Sequence, residues 1–355
     1  MIAGDFLLYG ATGYTGELIA RRAASLGLRP ILSGRSLATV GALAIELDLE
    51  HRIARVDDAK ALDAAINALP EANRTVLNCA GPFSHTAMQV AEACLRNGAH
   101  YLDITGEITV FEMIAAKTKA AEQAGVMLLP GVGFDVVPSD CLAAYVASRL
   151  PSATKLVLAI QGVGKISRGT MLTSIQNIGN GGAVRRGGAI VRVPSAWKSR
   201  TVTFDNKPVQ VTTMPWGDVA TSFYSTRIPD IEVYMMIPDG MRKMLKYGRS
   251  ILPILSRKPF NSWLQSRVRS GSPGPDEQQR ERGRSRFWAE ASDESGKRFA
   301  ARLSGPEGYE LTVRTALECV RRTLAGQASP GFKTPSLAFG ADLILAIDGV
   351  SREDA

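Results

Sequence analysis

The residues best placed to do chemistry stand at the ends of short apolar runs. "YGATGYTGELIARR" sets Gly10, Gly13 and Gly16 three residues apart, with Ala11, Thr12, Tyr14 and Thr15 between them. A glycine where a strand turns into a helix permits backbone angles closed to other residues. A second, lacking a side chain, lets a pyrophosphate approach the helix N–H groups, whose partial positive charge favours an anion. A third lets the helix pack closely on the strand. The spacing is GxxGxxG, not the GxGxxG of the commonest dinucleotide fingerprint, and a plain tight turn would also use it. The next apolar run closes on "SGRS". An NAD site places an acidic residue there for the ribose hydroxyls. Here stand Gly34, Arg35 and Ser36, a cation and a hydroxyl that suit a 2′-phosphate. NADP(H) is the expected cofactor, the alternative being a solvated Arg35 in a loop.

Further stretches add candidates. "NCAGPFSH" supplies Asn78, Cys79, Ala80, Gly81 and Pro82, a turn whose backbone could lie along the dinucleotide. Cys79 as a chemical group reads better as a small buried thiol. His85 could donate the proton that accompanies hydride transfer, or simply be a surface residue. "YLDITGE" places Glu107 beyond Gly106, where it could act as an acid, bind a polar group, or sit at a helix N-terminus. "GVGFDVVPSD" offers Phe134 as a wall for the nicotinamide and Asp135 as a cleft carboxylate. The catalytic candidates are thus His85, Glu107 and Asp135. In "SRGTMLTS", Ser167, Arg168 and Thr170 could line a substrate pocket, with Arg168 pairing a carboxylate or phosphate. A helix cap followed by a plain helix fits the same residues.

Strands and helices must position these groups. "DFLLYG", "PILSGRS", "RIARVD", "RTVLNCAG", "HYLDITG" and "VMLLPGVG" read as short apolar strands. Between them lie amphipathic runs closed by glycine, such as "ELIARRAASLG" and "HTAMQVAEACLRNG". "VFEMIAAKTKAAEQAG" reads as one helix. Strand–helix alternation predicts an α/β, Rossmann-type doubly wound parallel sheet, with ligands at the carboxyl ends of its strands. Beyond residue 150 the pattern changes. "TKLVLAIQG", "KPVQVTT", "ATSFYSTRI" and "IEVYMMI" read as strands, "SRFWAEASDESGKRFAARLSG" as a hairpin, and "TVRTALECVRRTLAG" as a helix. The expected domains are 1–135, cofactor-binding; 136–330, a second, smaller mixed α/β domain; and 331–355, a tail that packs back on the first.

Composition narrows the function classes. Of 355 residues, 45% are hydrophobic and 21% charged, a globular balance. No basic leader and no long apolar run indicates a signal peptide or a membrane span. Four scattered cysteines and three histidines suit buried thiols in a reducing cytoplasm, with no metal site. The net charge of +8 comes from residues 240–271, which hold eight basic residues and no acidic one; elsewhere the signs balance at 34 each. That argues against nucleic-acid binding. The segment suits a helical excursion packed on its domain, a peripheral membrane or lipid contact, or an anionic ligand.

Taken together, "YGATGYTG", "SGRS", "NCAGPF", "YLDITGE" and "PGVGFDVVPSD" resemble, in order, the saccharopine dehydrogenase-like oxidoreductases. The branch with the trans-acting enoyl reductases is the most similar, also in "SRGTMLTS", "GRSRFWAEASDESG" and "FKTPSLAFG". The resemblance implies an NADP-binding Rossmann domain, a smaller mixed domain and a homodimer, but no substrate; reduction of a C=N or C=C bond is expected, and the apolar, Met-containing second half leans to a lipid-like or acyl substrate. The competing expectation is a non-catalytic dinucleotide sensor or membrane-surface scaffold of the same fold.

Overall fold

The computed structural model describes residues 5–162, 167–169, 171–172, 181–205, 207–248, 262, 266–268 and 274–355. The chain forms two compact units: Met1–Val137 with Leu311–Gly340, and Pro138–Glu310 with Ala341–Ala355. The sequence suggested a boundary at 330 and a single tail. Instead the chain re-enters the first unit at Leu311, and its last fifteen residues belong to the second.

In the first unit, β1 (Leu7–Tyr9), β2 (Ile31–Gly34), β3 (His51–Ile53), β4 (Thr75–Asn78), β5 (His100–Asp103) and β6 (Met127–Leu129) are all parallel. A two-residue strand, Gly331–Phe332, pairs with β6. Among the described residues the order is Gly331–Phe332, β6, β5, β4, β1, β2, β3. The order reverses between β1 and β4, so their carboxyl ends open a crevice where such sheets bind ligands.

Helices α1 (Tyr14–Ser25), α2 (Leu37–Leu47), α3 (Ala59–Asn67) and α4 (Ala87–Arg96) follow β1 to β4. Each buries an apolar stripe, as in Ile19, Ala20 and Ala23 of α1. The run expected as one helix after β5 is two, α5 (Ile108–Ala115) and α6 (Thr118–Gln123). The Thr118 hydroxyl donates to the Ala115 carbonyl at 2.6 Å, which lets the chain turn between them.

The helix α7 (Val137–Arg149) leads into the second unit. There β7 (Lys155–Gln161), β8 (Gly182–Arg186), β9 (Ala189–Val193), β10 (Ser199–Phe204), β11 (Lys207–Thr213), β12 (Asp230–Met235), β13 (Arg284–Ser292) and β14 (Arg298–Pro306) form a mixed sheet with Ser351–Asp354. β7 and β12 run parallel, and β13 and β14 form the expected hairpin around Asp293–Lys297. "ATSFYSTRI" corrects the sequence reading. It lies in the helix Asp218–Thr226 and the turn after it, not in a strand. Its hydroxyls bond back to the preceding turn, Thr226 to the Ser222 carbonyl at 2.6 Å and Ser225 to Thr221 at 3.1 Å. Burial of Val219, Ala220, Thr221 and Ser222 outweighs the strand propensity of that composition.

Candidate functional site

The three glycines of the first turn are not equivalent. Gly10 has φ +81°, and a Cβ there would lie 2.6 Å from the Ala80 nitrogen. A Cβ on Gly16 would lie 2.2 Å from the Gly10 carbonyl oxygen. Both are therefore required by the chain's own backbone. The N–H groups of Gly10 and Ala11 donate to the Ser33 carbonyl at 2.9 and 3.1 Å, which stitches the turn to the end of β2. Gly13 is different. It precedes α1 with φ −73°, and a Cβ on it would meet nothing nearer than the Gly10 oxygen at 3.4 Å. Thr12 and Gly13 are exposed, Tyr14 and Thr15 half-buried, and no side chain caps the helix. The first-turn N–H groups of α1 lack intrahelical acceptors. Glu17, an acid in that first turn, is held by Arg21, which also bonds Glu46.

Two arginines leave the sheet side by side. The Ala54 N–H donates to the Gly34 carbonyl at 3.1 Å, so Arg35 and Arg55 follow bonded residues on neighbouring strands. Arg35 is exposed and makes no hydrogen bond or ion pair among the described residues, while Ser36 caps α2 through the Thr39 N–H. Arg55, also exposed, grips both oxygens of Asp57 at 3.0 Å. The Tyr9 hydroxyl donates to the Ala54 carbonyl at 3.2 Å. Burial, then the Asp57 charge, pushes that phenol up, while Arg35 and Arg55 pull it down. The sequence reading missed Arg55; its one signal was a basic residue just past the third strand.

A buried network joins the loops after β4, β5 and β6. Asp103 accepts from the Tyr101 hydroxyl at 2.6 Å and from the Thr105 and Gly131 N–H groups at 2.9 Å each. Asn78 donates to the Tyr101 oxygen and accepts from the Ala80 N–H. Thr86 closes the same turn on the Ala80 carbonyl at 2.6 Å. Burial pushes Asp103 up to about 6, less than burial alone would, because these donors favour its charge.

The candidate acids separate on this frame. Glu107 accepts from the Phe83 and Ser84 N–H groups at 2.9 and 3.3 Å, holding the turn that contains Gly81 and Pro82. One N–H thus lies on each of its oxygens, tying the start of α5 to the Phe83 turn. His85 is exposed at the end of the short 3-10 turn Phe83–His85. The Cys79 thiol is held far above its ordinary range by burial, first, and by Asp103, which makes it a poor nucleophile.

Asp135 keeps part of its surface open, yet it is so closely surrounded that burial pushes it up to about 7. Gly106 passes right beside it, since a Cβ there would lie 2.6 Å from the carboxylate. Phe134 is 8% exposed and its N–H donates to Thr312 at 3.0 Å. Thr315 likewise bonds the Val132 carbonyl at 2.9 Å. These threonines, on the helix Gly308–Arg322 that re-enters the unit, went unnoticed in the sequence. In the second unit the Ser167 N–H donates to the Tyr309 oxygen, and Arg168 is exposed. Thr170 lies outside the described residues, as does much of 240–271. Among the described residues no cluster could hold a metal ion, and no helix is long and apolar enough to cross a membrane.

Residues 6–129 match the family model described as the saccharopine dehydrogenase NADP binding domain. A probable mitochondrial saccharopine dehydrogenase-like oxidoreductase of Arabidopsis thaliana is 24% identical, across 98% of this chain and 96% of that protein. A trans-acting enoyl reductase of Mycobacterium tuberculosis is 30% identical over 142 residues, 38% of this chain; the match spans about a third, 34%, of that relative's length. Among solved structures, apo saccharopine dehydrogenase (L-Glu forming) from Saccharomyces cerevisiae superposes with TM-score 0.66 over 99% of both chains, at 12% identity. That likeness establishes a shared fold.

Two outcomes follow for this site. Gly16→Ala forces a methyl into the Gly10 carbonyl, and overpacking of this kind costs about 1–3 kcal/mol. Thermal unfolding will show a melting point lowered by several degrees, whereas Gly13→Ala will melt with the parent. Equal losses at both positions would mean that the turn is uniformly structural. The two raised carboxyls, Asp103 near 6 and Asp135 near 7, bind more protons folded than unfolded. Their contribution is complete below about pH 4 and is lost as pH rises to about 7, so these groups make stability fall across that window. Asp135→Asn flattens part of that fall in denaturant titrations; an unchanged slope would contradict the assignment.

Proposed function

We propose, from the premise that residues 6–129 are a saccharopine dehydrogenase-type NADP-binding domain and that the chain is an NADP-dependent oxidoreductase, that it reduces a C=N or C=C bond of a lipid-like or acyl substrate. The observation that carries the cofactor's placement is Gly13, a glycine for which the fold itself supplies no steric reason. A pyrophosphate lying across it meets the uncapped N–H groups of α1. Arg35 and Ser36 take the 2′-phosphate, and Arg55 adds a second cation by exchanging the Asp57 carboxylate for the phosphate. Asn78, Cys79, Ala80, Gly81 and Pro82 form the backbone wall toward the nicotinamide, with Phe134 beside it.

NADPH, when bound, supplies the hydride; the chain's part is to bind, orient and deliver a proton. Asp135 is the group suited to that delivery. It is partly open, and a value of about 7 leaves it substantially protonated at neutral pH. Glu107, committed to two N–H groups, fixes the turn that Asp135 works against. Among the relatives, the enoyl reductase name favours C=C reduction over the imine chemistry of saccharopine. The four free cysteines fit a reducing compartment such as the cytoplasm.

Arg35→Asp removes a charged hydrogen-bond donor and adds repulsion, worth about 2 kcal/mol or more. NADPH affinity falls roughly thirtyfold or further, while NADH affinity holds. An unchanged NADPH-to-NADH ratio in a fluorescence titration would refute the 2′-phosphate assignment; Arg55→Ala lowers the ratio by a smaller factor. Asp135→Asn lowers kcat by about 10²–10⁴ with NADPH affinity intact. In the parent enzyme kcat declines as pH rises through about 7, the direction expected when the protonated acid is the active form. Full activity of Asp135→Asn would remove it as the donor.

A further inference from the structure

The second unit carries a helix that the redox reading leaves without a task. Asp239–Tyr247, "DGMRKMLKY", has no buried residue. Met241, Met244 and Leu245 recur at the three- and four-residue spacing that puts side chains on one helix face. Lys246, Arg242 and Lys243 fall on the opposite side. Met241 is 48% exposed, Met244 49% and Tyr247 76%. A nine-residue helix is not stable alone in water, and an amphipathic one ordinarily buries its apolar stripe. This one leaves its methionines open among the described residues.

The charges on the helix have one sign to spare. Asp239 is paired with Arg242 at 3.0 Å. Lys243 and Lys246 have no carboxylate partner among the described residues; Lys246 lies over the Tyr247 ring at 5.6 Å. From Gly240 to Gly271 the sequence has no acidic residue at all. A helix with exposed methionines on one side, a tyrosine beside them and a net excess of cations on the other side matches a surface that is apolar beneath and negative on top. An anionic bilayer has that layering: phosphates attract the lysines, and the acyl boundary takes the apolar side chains. A purely polyanionic partner would leave the methionines unused.

We propose that the helix Asp239–Tyr247 docks on anionic phospholipid membranes, laying Met241, Met244 and Tyr247 into the headgroup region with Lys243 and Lys246 on the lipid phosphates. The proposal holds whether or not the substrate is a lipid.

The test uses the full chain and extruded vesicles of phosphatidylcholine with or without phosphatidylserine. At low salt the protein sediments with the anionic vesicles at least about tenfold more than with neutral ones, and high salt releases it. Met241→Asp combined with Met244→Asp cuts sedimentation at least about tenfold, while NADPH titration of that variant matches the parent and shows that it is folded. Tyr247→Trp gives a fluorophore whose emission moves to the blue on adding anionic vesicles. No sedimentation with anionic vesicles would overturn the proposal, as would a Trp emission that does not move. So would sedimentation unaffected by the Met→Asp pair and abolished by duplex DNA, which would mark a charge-only polyanion contact.

Discussion

One buried carboxylate holds the candidate site together. Asp103 lies at the end of β5 and accepts from Tyr101, Thr105 and Gly131. Through Tyr101 and Asn78 it reaches the turn after β4; through Gly131 it reaches the loop after β6. Three loops that would otherwise wander at the open ends of a parallel sheet are fixed by one charge. Removing water from that charge is costly, and the donors around it are what make it tolerable. The fixed loops then place Glu107 on the Phe83 turn and Asp135 beside Gly106.

A second constraint operates at the first turn. Gly10 and Gly16 let strand, helix and the Ala80 turn approach to distances no side chain would allow. That compression leaves the N-terminus of α1 facing outward with uncapped N–H groups, and Gly13 lies across it. Protein packing accounts for two of the three glycines. The third has no steric reason in the fold, and the uncapped N–H groups beside it suit an anion. The exposed Arg35 and the neighbouring Arg55 extend the same cationic surface around the end of β2.

The parallel sheet was legible in the sequence because most of its strands are short, buried apolar runs and the helices after β1 to β4 each bury an apolar stripe. The β13–β14 hairpin was legible from "DESGK" between two such runs. What escaped was set by distance along the chain. Thr312 and Thr315 bond Phe134 and Val132 from nearly two hundred residues away, and nothing local in "TVRTALECV" announces it. The helix Asp218–Thr226 escaped because hydroxyl and aromatic residues look like a strand until their back-bonding and burial are seen. The two N–H partners of Glu107 lie on a different loop, so its sequence neighbours do not announce them. Asp135 was named from its place at a strand end. Its raised pKa is a property of enclosure, which no local pattern reports.

The account turns on the first unit being built for the phosphorylated dinucleotide. The most direct measurement is a paired titration of the unaltered protein with NADPH and NADH, followed by displacement with 2′,5′-ADP and with 5′-ADP. The account predicts NADPH binding at least about tenfold tighter, and displacement by 2′,5′-ADP at concentrations where 5′-ADP has no effect. Equal affinity for the two cofactors, or equal displacement by the two fragments, would contradict it.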